Sequence, residues 1–286
     1  AATSDDSFNT VAGDFVVAGF VVGLWIRVRG FTGAGVTADN LDWKILTVTA
    51  TKIVVDGNLT DDAAGESITI TGKMARSGVT LRSFLFEKRF ADITVFQQLL
   101  GQRVNTVAIE MRNRAIITAA FEFMGRQGLY TGSSVAGSSV AAASNPALDS
   151  SGGMAFLLEG GSPIAVPLFS LTVNINNNMG YQPAIANRFP IGIRFGTLEI
   201  TGTIVSYFEN VTVANKFINH TATSYALKLV DNNGKAVIIT VPRIFYAEGT
   251  TPVTGQNADI FLTMPFRASF DATTNSGIQV DILTAA

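Results

Sequence analysis

The chain has 286 residues, 47% of them hydrophobic and 15% charged against an average charged share of about 25%, so it can bury a large core and must leave much of its surface uncharged. It has no cysteine and one histidine, His220, which excludes disulfides, thiolate chemistry and any site needing two imidazoles from one chain. The formal charge of −2 is unevenly placed: residues 1–72 hold nine Asp/Glu and four Lys/Arg, a balance of −5 that leaves +3 on the remainder, and neither part has the basic run interleaved with aromatics of a nucleic-acid groove.

The opening AATSDDSFNT is acidic where a secretory signal is basic and carries no initiator Met, so a processed or incomplete chain is expected. The longest apolar stretch, Phe15 to Ile26, is broken by Gly19 and Gly23 and falls short of the roughly 20 residues of a membrane helix. It reads as strand, and no membrane partner is expected. From Asp14 to Gly72, runs such as FVVAGFVVG, LWIRVRGF, WKILTVTA and SITITG predict a small β-barrel or sandwich. Within it Trp25, Arg27 and Arg29 alternate with Ile26, Val28 and Gly30, the pattern of a strand with one wet face. GAGVTA at 33–38 lacks a following helix and reads as a turn, not a phosphate loop.

Longer strands follow from about Val79. LRSFLFEKRF alternates, and a short helix is predicted next, with Asp92 as N-cap and Val95, Phe96, Leu99 and Leu100 on one side before Gly101. VNTVAIEM and AIITAAFEF form a hairpin over Arg112–Arg114. Residues 125–153, rich in Gly, Ser and Ala, cannot offset their ordering entropy alone and read as a long contact loop. Beyond it come FSLTVNINN, FGTLEITGTIVSYF, a second short helix capped by Asn210, a hairpin turning at DNNG, and two closing strands, the first holding Pro265 and so expected at an edge or bulge. A shift of 118 residues lays Phe90–Val95 on Phe208–Val213, which predicts an internal duplication.

Catalytic and metal signatures are missing. His220 has no partner at ligand spacing, no nucleophile elbow, Walker loop or HExxH occurs, and Asp61, Asp62 and Glu66 sit in a polar turn that does not meet the EF-hand pattern. The triplets at Asn58, Asn210 and Asn219 are common by chance in a Thr-rich chain. No enzyme and no cofactor is expected. Thr197, Glu199, Thr201 and Thr203 share one side of a strand, Thr106 and Glu110 that of a second, and Thr118 and Glu122 that of a third, though alternation alone separates wet from dry and not a channel from an outer surface.

In combination, SFLFEKRFADITVFQQLLGQRVNTVAIEM, LEITGTIVSYFENVTVANKFIN, ITVPRIFY and IFLTMPFRASFDATTNSGIQVDI resemble the tail tube proteins of bacteriophages with long, non-contractile (siphovirus-type) tails. The resemblance implies an all-β fold with two short helices: an internally duplicated β-sandwich or barrel tail-tube domain over 76–286, with 125–153 as an inter-subunit loop, and a small outward-facing β decoration domain over 1–75. It also implies strands and a helix upstream of the decoration that this chain does not show. The implied assembly is a tube of stacked hexameric rings in the virion, made in the host cytoplasm, surrounding the tape measure protein. Its ends would meet the tail terminator and distal tail proteins, and double-stranded DNA would pass through without specific binding. The eight Thr and Glu residues named above are then the lumen candidates. A carbohydrate- or host-surface-binding β module is the alternative; it requires exposed aromatics, and Trp25 and Trp43 are the only tryptophans.

Overall fold

Short β-branched runs punctuated by glycine form strands along almost the whole chain. The computed structural model describes residues 4–62, 65–138, 140–142, 144, 146–150, 153–164, 166–209, 211–251, 255–256 and 258–285. A first antiparallel sheet contains β1 (Ser7–Asn9), β2 (Trp25–Arg29), β3 (Asp42–Val48), β4 (Lys52–Val55) and β5 (Thr69–Thr71), in the order β1-β4-β3-β2-β5. β3 pairs with β2 at Asp42–Lys44 and with β4 from Ile45 on, so the sheet bends around its own core of Phe8, Ile26, Val28, Ile45, Ile53 and Val55. Phe15–Gly23, read as strand, is instead a series of turns: the Asp14 carboxylate accepts the N–H groups of Val16 and Val17, and Phe20 N–H closes back on Phe15. Gly19 and Gly23, both at positive φ, let the chain turn where a strand would have continued.

The chain crosses into a larger sheet between Gly72 and Lys73. This sheet holds β6 (Lys73–Arg76), β7 (Phe84–Phe90), β8 (Val95–Arg112), β9 (Thr118–Met124), β10 (Gln127–Thr131), β11 (Met154–Glu159), β12 (Ser162–Pro163) and β13 (Leu168–Asn176). A separate two-stranded hairpin of β14 (Gly180–Gln182) and β15 (Gly192–Arg194) precedes β16 (Glu199–Tyr207), α1 (Thr212–Ile218), β17 (Thr223–Val230), β18 (Ala236–Tyr246), β19 (Phe261–Ala268) and β20 (Gln279–Leu283). The sheet folds over itself. β9-β8-β13-β16-β19 form one layer and β20-β18-β17-β11 the other, joined where β18 and β19 share three residue pairs. Between the layers, Ile109, Val173, Ile204, Met264 and Phe266 meet Leu157, Leu227, Leu229, Ile239 and Val241 in a single apolar core. The all-β sandwich expected from the sequence is therefore present.

Two helices were expected and one α-helix is found among the described residues. The segment after Asp92 is strand: Ala91–Thr94 makes a tight turn with Thr94 at φ +52, and Val95 opens the 18-residue β8. Asp92 is therefore a turn residue and not a helix N-cap. An eight-residue helix is marginal alone, whereas here β7 and β10 bond to both edges of Val95–Gln102 and satisfy its backbone as a ladder. The second helix is α1; Asn210 lies outside the described residues, and Val211 at the N-cap position makes no side-chain capping bond. α1 is fixed instead by burial of Val213 and by Lys216, whose ammonium pairs at 3.0 Å with Glu159.

The 118-residue shift carries β7, the second half of β8 and β9 onto β16, β17 and β18, so the strand register is kept. The hairpin is kept as well, β8 pairing with β9 and β17 with β18, but the first strand of the unit is not placed alike: β7 pairs with β8 whereas β16 pairs with β13 and β19. The DNNG hairpin is present, the Asp231 carboxylate accepting the N–H groups of Asn233 and Lys235. Pro265 pairs with Thr203 on one side, and its carbonyl takes Ala247 N–H on the other, just past the end of β18. The donor that proline lacks thus falls where the ladder is running out.

Gly202 lies between Val173 and Phe266 in the middle of the sandwich, and a Cβ there would stand 2.3 Å from both the Phe266 ring and the Thr172 carbonyl. Gly202→Ala should lower stability by about 1–3 kcal/mol through overpacking, read as a shift in the urea unfolding midpoint. A change below about 0.5 kcal/mol would show that Phe266 yields freely.

Candidate functional site

In an antiparallel ladder, directly opposed residues share a face, so the register fixes which side chains line each side of the first layer. Glu122, Thr106, Asn176 and Glu199 form one cross-strand row. Ala120, Ala108, Asn174, Thr201 and Arg267 form the next, followed by Thr118, Glu110, Thr172, Thr203 and Pro265. Seven of the eight residues singled out in the sequence therefore share a single polar face spanning five strands, with the apolar core on its other side. Thr197 is exposed in the loop before β16, outside that ladder. Alternation marks these strands as half wet but not as neighbours; β13 brings them together by inserting between β8 and β16, which no spacing in the sequence announces.

The chemistry of this face is muted. Glu110 pairs with Arg112 and Glu199 with Arg267, and Thr106 donates to Glu122 at 2.9 Å. No lysine occurs in these rows. A shallow hollow lies over the centre, lined by Thr106, Asn174, Asn176, Glu199, Thr201 and Arg267. Its two charged lining groups, Glu199 and Arg267, pair with each other at 3.4 Å.

The opposite, apolar side of this layer extends past the sandwich. Beyond Gln102, β8 continues as a three-stranded arm with β7 and β10, and among the described residues no second layer of strands covers it. Phe86 and Phe123 meet edge to face at 4.7 Å between centroids, and Phe84 and Phe121 flank them, with Phe84, Phe86 and Phe121 at 49%, 37% and 57% exposure. Together they make a contiguous exposed aromatic patch. The long loop begins here: Glu87 accepts Ser134 Oγ, Val135 N–H and Gln98 Nε2, which holds its carboxyl below the usual range mainly through the Ser134 and Val135 bonds. Its first residues form β10, and among the described residues 132–147 have no regular structure and almost all are exposed. The loop returns at Ile117, whose N–H bonds Leu148 O, at the far end of β9.

The first sheet docks on the other layer of the sandwich, on the side away from the polar face. The expected wet face of β2 is buried by this contact, with Trp25 and Arg27 at 7% and 5% exposure. Trp25 packs on Phe156 with Ala236, Ile238 and Leu283 around it. Arg27 grips Asp42 with two bonds of 2.8 Å, and Lys228 of β17 reaches the same carboxylate at 2.8 Å. Gln279 links Gly23 O at 2.7 Å to the buried Asp281.

The remaining candidates are structural. Among the described residues no group of three or more His, Asp or Glu converges as a metal site, and no helix is long and apolar enough to cross a membrane. The amides of Thr32 and, within GAGVTA, of Gly33 and Gly35, which could cradle an anion, are taken by Glu66 and Asp62, so these carboxylates bind the loop. His220 sits at φ +47 after α1 against Phe217. Trp43 donates its indole N–H to Asp39 O, so neither tryptophan stands on an exposed aromatic platform.

No curated protein matches the chain. A family model for phage tail tube proteins matches residues 6–268, which takes in every strand from β1 to β19. The chain therefore belongs to the phage tail tube protein family, as a structural component of the virion that self-assembles with other tail components.

Proposed function

We propose that this protein forms the tube of a long, non-contractile tail as stacked hexameric rings, with the five-strand polar face lining the channel around the tape measure protein. The single observation that carries this reading is the continuity of that face: Thr, Asn and Glu across five adjacent strands, with its two guanidiniums each held by a glutamate and no lysine. A conduit must not hold phosphates, because each fixed cation that engages one adds counterion-release affinity and slows passage. A wall of neutral hydroxyls and amides with slightly acidic character lets DNA slide.

Ring closure gives the other features a use. Among the described residues β9 pairs in the sheet only with β8, so its outer edge can take a neighbouring copy, and the aromatic arm beside it supplies apolar surface for the same contact. The first sheet, on the side of the sandwich away from the polar face, then becomes an outward decoration, and the 125–153 loop reaches neighbouring copies. The tail terminator and distal tail proteins cap the two ends. DNA leaves through the channel without specific binding.

Because the chain lacks cysteine, a single introduced thiol reports its own environment. Thr203→Cys should react with small and bulky polymer-linked maleimides when unassembled, but only with the small reagent once negative-stain microscopy shows tubes. Val17→Cys, exposed in the turns between β1 and β2, should react with both throughout. Equal labelling of Thr203→Cys by the bulky reagent in tubes would place the polar face outside and overturn the reading.

A further inference from the structure

β8, β9, β13, β16 and β19 all run between the same two ends of the polar face, so each end collects loops from several strands. The arm end is basic. Lys88 and Arg89 lie on β7 beside the arm's turn, Arg103 and Arg126 at its base, and Arg188 and Arg194 on the β14–β15 hairpin, which Arg103 and Arg126 tie to the arm through Ile193 O and Pro190 O. Facing these six cations are Asp92 and Glu87, the latter already engaged by the loop. Carbonyl bonds satisfy hydrogen-bonding geometry but leave net charge uncompensated, and none of the six cations forms an ion pair among the described residues.

The opposite end has the reverse character. Phe208 N–H bonds Ile260 O, which brings Glu209 close to Asp259, and Asp149 is bridged to Ile116 at the start of β9. Arg114 is the nearby cation, since Arg112 is committed to Glu110. The molecule is thus polarised along its strands.

We propose that these two ends are complementary docking surfaces for a second copy of this chain: the basic arm end of one copy seats on the Glu209 and Asp259 end of the next. Their charges fix the head-to-tail direction of stacking. The inference rests on the tube reading and adds the contact between rings and its physical basis. Opposite patches steer approach and suppress the wrong partner, here the head-to-head pairing that would oppose six cations to six. Charges that meet across a solvated joint are screened by salt, with a Debye length near 10 Å at 0.1 M and about 3 Å at 1 M.

Two measurements test it. Wild-type tube length and critical concentration are compared in dilute and molar sodium chloride by sedimentation and negative-stain microscopy, with the critical concentration expected to rise at least ~10-fold at high salt. Two charge-reversed variants are then made, R89E with R126E and R194E, which leaves three cations against five carboxylates at the arm end, and E209K with D259K. Each alone has like-charged ends and should stop at single rings. Mixed together they should form tubes of alternating rings, which also shows that both variants fold. Wild-type tubes of salt-independent length, or reversed variants that elongate alone as wild type does, would overturn the charge-directed joint and leave the tube reading intact. Wild-type protein that forms neither rings nor tubes at any salt would overturn the tube reading itself.

Discussion

Asp42→Ala is expected to destabilise the protein by about 3–5 kcal/mol, the range for removing one partner of a buried ion pair. The Asp42 carboxylate is 4% exposed and is the only anion within 4 Å of Arg27 and Lys228 among the described residues. Arg27 also donates to Thr284 O at 2.7 Å and to Gly234 O, so its guanidinium cannot swing out to water without unpicking the junction. Removing the carboxylate leaves two cations facing each other between the sheets. The triple change Arg27→Met, Asp42→Leu, Lys228→Met should cost far less, because no charge is then stranded. Urea unfolding followed by the fluorescence of Trp25, which sits in this junction, reads both variants. A loss below about 1 kcal/mol for Asp42→Ala would mean that water reaches the cluster.

Burial would raise the Asp42 carboxyl, but the bonds from Arg27 and Lys228 overcome it and hold it below its ordinary range. Its contribution is therefore present above the unfolded value near pH 4 and is lost only as pH falls through the lower folded value. The same junction contains a carboxyl with the opposite behaviour, and this gives the second large effect.

Asp281, fully buried beneath Trp25, is pushed up to about 7 by burial, against the opposing pull of Gln279, the Trp25 N–H and Lys44. Between the unfolded value near 4 and the folded value near 7 the folded state binds the proton more tightly, so stability falls as pH rises through this window and levels off above it. Three units at 1.36 kcal/mol each set an upper scale of about 4 kcal/mol. Asp281→Asn should remove this slope and make the protein more stable at pH 8 than the wild type, as read from unfolding midpoints at pH 5, 6, 7 and 8. A slope that persists in the variant would assign the pH dependence to another group.

Both effects belong to a contact that the sequence shows only in part. Trp25 and Arg27 alternate with Ile26 and Val28 as residues of a half-wet strand do, and in isolation β2 would be one. The second sheet buries the polar side, and nothing within ten residues of Trp25 encodes Lys228 or Asp281. Local pattern also misled at Val95–Gln102, where apolar spacing and a good capping residue describe a helix. The segment is a strand because β7 and β10 provide a ladder on both of its edges, and long-range pairing outweighs a short helix's weak propensity.

The all-β class, the hairpins at Arg112–Arg114 and Asp231–Gly234, and the polar alternation of the strands that carry Thr106, Thr118 and Thr203 are legible in the amino-acid order alone. Each of these depends on neighbours within a few residues: a period of two, or a turn whose side chain bonds its own backbone. Long-range pairing is what makes β13 join those strands into one face, covers β2 on both sides, and gathers the cations of β7, β8 and the β14–β15 hairpin at one end. Such groupings depend on which distant strands exchange hydrogen bonds, and a backbone N–H and C=O carry no sequence label to announce their partner.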